Sequence, residues 1–289
     1  MPVDFPAPGA GRDAGAADPR ARDVADAERL LAEADSSGVA RLPALSTAEL
    51  WVLCGVDQVI ATEPEARWWA GLAAPNREKL TRGVLQFLTD RGLLRPAGER
   101  EPDAGPGPGA GPGLTAAGQP GRLLVSAALG MIVAARQNPE VVVIATESDG
   151  SVTGTPRMFG VGQAGGLPRA VVGEHVSGKV IRPFGPVHDF SLLSPDRAGH
   201  VLALWATRTG GGAAAGERAA GGQPRIVDVY AYTGGELASR DRATVSGSHG
   251  GHLVTRQQPG AGAEPGPPFA CDLAGLAGML TGMLALEQR

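Results

Sequence analysis

A chain of 289 residues is long enough to bury a sizeable hydrophobic core. Its 44 glycines, 24 prolines and 4% aromatics approach the composition of low-complexity sequence, so part of the length is expected to contribute nothing to that core. A net charge of -4 provides no global basic field and so argues against a nucleic-acid or anionic-membrane binder that works by bulk charge.

The basic side is almost entirely arginine, since Lys79 and Lys179 are the two lysines. With the excess of Ala and Gly, this reads as the codon bias of a GC-rich, actinobacterial genome. In such a chain, short motifs built from Gly, Ala, Pro and Arg arise by chance more often. Cys54 and Cys271 lie far apart, each in an apolar run, and are expected to be buried free thiols in a reducing compartment. MPVDFPAPGAGRDAGAADPR at the start has no basic stretch followed by an apolar one. No apolar run reaches the ~18 residues needed to span a bilayer. A cytoplasmic protein with no membrane insertion is therefore expected.

In chain order, residues 1–19 form a Pro/Gly/Ala tail. Residues 20–96 form a helical N-terminal segment, and 97–121 (AGEREPDAGPGPGAGPGLTAAGQPG) a linker that cannot build a core. Residues 122–289 form an α+β core with flexible inserts at 209–223 and 258–268. In the N-terminal segment, ARDVADAERLLAEAD places Val24, Leu30 and Leu31 on one helix. LSTAELWVL opens a second, with Ser46 and Glu49 spaced as a capping box. NREKLTRGVLQFLTDRGLLRP gives a third after the turn at Pro75, with Leu80, Val84, Leu85 and Leu88 at helical spacing and Gly92 as a left-handed cap.

RLLVSAALGMIVAARQ reads as an apolar helix ended by Asn138-Pro139, and EVVVIATES as a β-branched strand followed by an Asp-Gly turn within SDGS (148–151). PRMFGVG, LPRAVVGEH, GKVIRPFG and VHDFSLL read as four further extended segments. SPDRAGHVLALWATR has Ser194 as N-cap, Pro195 at the first helical position and Asp196 in the first turn. PRIVDVYAYTGGEL and RATVSGSHGGHLVTR look like antiparallel strands, and CDLAGLAGMLTGMLALEQR like a closing helix. Strands arrive in runs instead of alternating with helices, which favours α+β with an antiparallel sheet over a doubly wound parallel one.

GVGQAGG places Gly160, Gly162 and Gly165 in a literal G-x-G-x-x-G. A dinucleotide site needs a helix after those glycines and an acidic residue about 20 positions on. GLPRAVVGEH reads as extended, Glu174 comes too early, and Lys179, Val180 and Ile181 fill the later zone, so a hairpin turn is expected. No phosphate-binding G-x-x-x-x-G-K-[ST] occurs.

His249 and His252 could share a metal, yet no Cys, Asp or Glu stands near at ligand spacing. His188-Asp189 could pair a base with its orienter and take Ser191 or Ser194 as nucleophile. Against this, Ser194 is needed as a cap and adjacent strand side chains point to opposite faces. His175 is a second candidate base. Arg77, Lys79 and Arg82, in a helix followed by RGLLR, resemble a winged-helix recognition element over 75–95, but Glu78 and Asp90 dilute its charge and a wing hairpin is not expected before the linker. Trp51, Trp68 and Trp69 read as core aromatics, or as an interface anchor if exposed. No catalytic, cofactor-binding or metal-ligating residue is assigned, and no cofactor is expected.

Over 45–289 the order of elements resembles the EspG family, cytosolic chaperones of actinobacterial type VII secretion. The words that carry it are LSTAELWVL, a helix ending in DRGLLR, LGMIVAARQNPEVVVIATESDGSV as helix, strand and turn, the helix SPDRAGHVLALW, a second strand set and a closing apolar helix. The resemblance implies a central antiparallel sheet built from two quasi-repeated halves, here about 122–207 and 224–289. It also implies a non-catalytic role that shields a secretion substrate. The chain departs from the family in its long Gly/Pro inserts and extra N-terminal segment, so no binding residue carries across. Three functions are therefore expected to compete: a protein-binding protein, a DNA-binding regulator using 75–95, and a small hydrolase around His188.

Overall fold

The computed structural model describes residues 19–55, 69–96, 123–147, 156–164, 166–181, 184–208, 224–248, 251–258 and 264–285. Helices α1 (Pro19–Ser37), α2 (Thr47–Cys54) and α3 (Ala74–Asp90) come first, with strands β1 (Val39–Arg41) and β2 (Leu45–Ser46) between α1 and α2. A ribbon of β3 (Leu94–Pro96) and β4 (Leu123–Val125) leads into α4 (Ala127–Gln137). The main body follows as β5 (Val141–Glu147), β6 (Pro156–Ala164), β7 (Leu167–Ile181), β8 (Gly185–Leu193) and α5 (Pro195–Thr207). It continues with β9 (Arg225–Thr233), β10 (Glu236–Ser248), β11 (Gly251–Gln257), β12 (Phe269–Cys271) and α6 (Leu273–Met283).

Local signals in the chain account for most of these boundaries. Ser46 accepts from Glu49 N while the Glu49 carboxylate accepts from Ser46 N, which completes the capping box and starts α2. At the end of α3, Gly92 takes φ +68. Its N–H bonds Thr89 O and that of Leu93 bonds Leu88 O, the paired bonds of a Schellman motif. Ser194 and Pro195 open α5 as read from the sequence, with Arg197 N donating to Ser194 Oγ.

The large strands form one antiparallel sheet in the order β1-β8-β7-β6-β5-β9-β10-β11-β12, with β2 also on β8. Central β5 and β9 pair with each other. From each of them a four-strand meander runs outward, β5 to β8 on one side and β9 to β12 on the other. Each meander ends in a helix, α5 or α6, and both helices pack on the same sheet face. The protein is α+β, and its sheet has two halves related by an approximate two-fold axis between β5 and β9.

Strict alternation along the strands divides the core. Val141 and Val143 face α5 and α6 together with Val171, Val227, Leu202 and Leu280. Val142 faces the other way, with Phe159, Val172 and Leu192, toward α1–α4 through Leu30, Leu50, Leu88 and Ile132. Where α5 crosses α6, Gly199 lies so close that a Cβ there would stand 2.7 Å from Ala277 O and 2.8 Å from Thr281 N. Only hydrogen fits at that position.

Several sequence expectations need correction. The N-terminal segment is not purely helical, because residues 39–46 add two short strands against β8. Residues 123–125 are strand, and α4 begins only after Ser126, whose side chain accepts from Leu129 N. LPRAVVGEH and GKVIRPFG are not separate strands: both contribute to β7, whose pairing with β8 is irregular between Val176 and Val180. β12 was not expected. Val24, Leu30 and Leu31 do share α1, where Val24 is 57% exposed and Leu30 is buried. The turn SDGS, the linker 97–121 and the insert 209–223 lie outside the described residues.

The glycine stretch resolves as a hairpin. β6 pairs with β7 through Ala164↔Leu167, and Gly166 in the turn takes φ +78. Gly160 sits inside β6 opposite Val171, where a Cβ would meet Pro168 Cγ at 2.8 Å. Here glycine permits strand packing, and no helix follows to receive a pyrophosphate.

Candidate functional site

Two polar groupings stand out on the α1–α4 face of the sheet. The first is buried. Pairing of Leu45 with His188 and of Ser46 with Val187 brings the start of α2 onto β8, so Thr47 lies beside the imidazole. His188 Nε2 is 3.0 Å from Thr47 Oγ1, and Nδ1 is 2.6 Å from Glu174 Oε1. Glu174 on β7 opposes Phe190 and is the diagonal neighbour of His188. Arg136, in the last turn of α4, donates through Nη1 to Glu174 Oε2. Arg157, directly opposite Glu174 on β6, has Nη1 at 3.8 Å from Oε1.

Burial of Glu174 by itself would push its carboxyl up. Arg136 first, then the bond to His188 and the charge of Arg157, overcome that and hold it down at about 2. Glu174 is thus a carboxylate that only accepts, so the Nδ1 proton of His188 points at it. On a neutral ring, Nε2 then accepts the Thr47 hydroxyl. Hydroxyl, imidazole and carboxylate stand in the order used for nucleophilic catalysis.

Two features oppose that use. Thr47 is 2% exposed and His188 and Glu174 1% each, which leaves Oγ1 out of reach of a substrate in this conformation. Two guanidiniums already face one carboxylate, so an imidazolium formed during catalysis would add to a surplus of positive charge in a low-dielectric site. Arg136 Nε has no hydrogen-bond partner among the described residues, and its guanidinium lies over the Phe159 ring at 5.4 Å. Chemically, the cluster ties α2 and α4 to β6, β7 and β8.

The His188–Asp189 dyad, disfavoured from the sequence because adjacent strand side chains point to opposite faces, does not assemble. Asp189 lies on the opposite face from His188, paired in register with His175, and both are exposed. Ser194 is a helix cap. The partner of His188 is Glu174, fourteen residues upstream, which sequence reasoning missed. His249 lies outside the described residues. His252 opposes Cys271 in register, and its buried Nδ1 has no partner among the described residues. Among those residues no group of three or more His, Cys, Asp or Glu is arranged to hold a metal. Cys54 and Cys271 are free thiols: Cys54 is buried as expected, Cys271 only partly, and burial raises the pKa of both.

Trp69 stacks on Trp51 at 5.9 Å between centroids, and both are buried, as core aromatics should be; Trp68 lies outside the described residues. On α3, Arg77 Nε donates to Leu72 O and Arg82 pairs with Glu78 at 3.8 Å, so part of the basic face is occupied locally. After α3 the ribbon β3-β4 pairs Leu94–Pro96 with Leu123–Val125, strands that lie on either side of the linker.

The second grouping is open. A straight row of register partners crosses the sheet as Glu174, Arg157, Ile144, Asp228, Arg242 and Gln257. In the β5–β8 half, helices α1–α4 cover this face. In the β9–β11 half, Asp228 is buried at the base of a surface pair. Arg242 binds it with Nε at 2.7 Å from Oδ1 and Nη2 at 2.9 Å from Oδ2, and Arg240 Nη2 adds a contact at 3.1 Å. The Arg240 guanidinium lies 5.4 Å from the Tyr230 ring centroid. Arg240 and Arg242 side chains are 47% and 35% exposed, and Leu237 and Leu253 flank them at 55% and 40%. Among the described residues no helix lies over this half.

No family model matches the chain, and no curated protein matches it in sequence.

Proposed function

We propose that the protein is a non-catalytic protein-binding protein, in the sense implied by its resemblance to the EspG family: a cytoplasmic chaperone that shields an export substrate. The supporting observation is the half-sheet surface of β9–β11. There Tyr230 and Tyr232, partly buried against the α1–α4 core, and the exposed Leu237 and Leu253 share a sheet face with Arg240 and Arg242. Tyrosine and arginine are the side chains that most often anchor protein partners, and Arg240 lies over the Tyr230 ring. The reactive-looking imidazole, by contrast, lies beneath helices. No helix among the described residues is long and apolar enough to cross a membrane.

The test is affinity capture from the native cells at mild salt, comparing the wild-type chain with Tyr230→Ser. A specific protein held by the wild type and released by the variant supports the proposal. Recovery of general folding chaperones alone refutes it.

A second reading is favoured by the alignment of Thr47, His188 and Glu174: a hydrolase whose N-terminal helices move aside to admit substrate. Thr47→Val removes the nucleophile while preserving shape. Any ester or amide hydrolysis by the wild type that Thr47→Val abolishes would establish that activity.

A further inference from the structure

The approximate two-fold axis between β5 and β9 maps each half of the sheet onto the other and preserves its faces, because α5 and α6 lie together on one side. On the opposite side, α4 packs across β6 and β7 and delivers Arg136 to the sheet carboxylate Glu174. The axis carries that position to β10 and β11. Counted outward from Ile144↔Asp228, the first residue on each side is an arginine, Arg157 or Arg242. The second is Glu174 on β7 but Gln257 on β11.

The carboxylate of the covered half is therefore replaced by a neutral amide in the open half. In the covered half the sheet offers a carboxylate and the helix answers with a guanidinium. In the open half Arg240 and Arg242 both pair with Asp228, which leaves the same single positive charge in excess that Arg136 and Arg157 leave on Glu174, but here the guanidiniums are exposed among the described residues. A helix seated there gains by bringing an anion to those exposed guanidiniums. We propose that the β9–β11 face binds an amphipathic helix of another protein, with acidic residues flanking its apolar stripe. The stripe lies on Tyr230, Tyr232, Leu237 and Leu253, and a carboxylate meets Arg240 and Arg242. This rests on the protein-binding proposal and names the chemistry of the partner.

The experiment titrates a designed leucine-striped helical peptide with glutamate flanks into the full chain, beside versions carrying glutamine or lysine flanks. Hydrogen exchange of the complexes locates the contact. The glutamate peptide is expected to bind about tenfold tighter than the lysine peptide, to weaken with salt, and to protect β9–β11. Arg240→Glu should abolish the preference while Arg242 remains to neutralise Asp228, and Arg240→Ala, milder for folding, should reduce it. Equal binding of the three peptides, protection elsewhere, displacement by a single-stranded oligonucleotide, or no binding would overturn the proposal. A cellular partner captured equally by wild type and Arg240→Glu would sink it and leave the protein-binding function standing. Failure to capture any specific partner would instead count against that broader function.

Discussion

Glu174 and His188, diagonal neighbours on β7 and β8, meet at 2.6 Å with neither more than 1% exposed. Their contact sits where two layers join, since Thr47 and Arg136 reach it from helices and Arg157 from the sheet. Removing one member of a buried charged group costs far more than the group contributes, because the others stay buried without compensation. Glu174→Gln should lower unfolding free energy by about 3–5 kcal/mol, read from urea melts. A loss under about 1 kcal/mol, the range of a surface pair, would show that water reaches the cluster.

The same residue sets an acid limit. Its folded-state pKa of about 2 lies below its ordinary value of 4.5, so the carboxylate's contribution is fully present above about 4.5. It is lost as pH falls from there toward 2. Stability measured between pH 6 and pH 2 should drop over that window in the wild type, and more shallowly in Glu174→Gln. Parallel curves would contradict the assignment.

Thr47→Val keeps the shape of the side chain but deletes the hydroxyl that meets His188 Nε2 and Pro186 O. It should cost about 1–3 kcal/mol by leaving a buried ring nitrogen without that partner. Hydrogen exchange should rise first in α2, while α5 and α6, on the other face, stay protected. Uniform deprotection would mean that the cluster does not hold a separable layer.

Gly199→Ala tests the helix crossing on the far face. Its methyl would press on the backbone of α6 at Ala277 and Thr281, and backbone cannot rotate aside. A loss of about 1–3 kcal/mol is expected from thermal or urea unfolding. An unchanged midpoint would mean that α5 and α6 slide apart freely.

What the sequence revealed were the features fixed by local chemistry. Ser46 with Glu49, Ser194 with Pro195, and Gly92 each satisfy backbone groups within a few residues, so their patterns could be read directly. Pro168 and the valines after GVGQAGG likewise excluded a helix there. The run of strands gave the α+β class and the two halves of the sheet. The Glu174–His188 pair was hidden because it depends on the register of β7 against β8, which the irregularity between Val176 and Val180 resets. Arg136 resembles a solvated residue at a helix end, and only α4's seat on the sheet buries it. Strands β1 and β12, three residues each, are too short to show periodicity and exist because a longer neighbour offers them hydrogen bonds.

The most direct measurement is a paired capture from native cells with the wild type, Thr47→Val and Arg240→Glu at equal concentration, quantifying the protein partner retained by each. A surface that works through β9–β11 predicts equal retention by wild type and Thr47→Val and its loss with Arg240→Glu. Retention that follows Thr47 and ignores Arg240 would place function in the buried cluster and contradict the account.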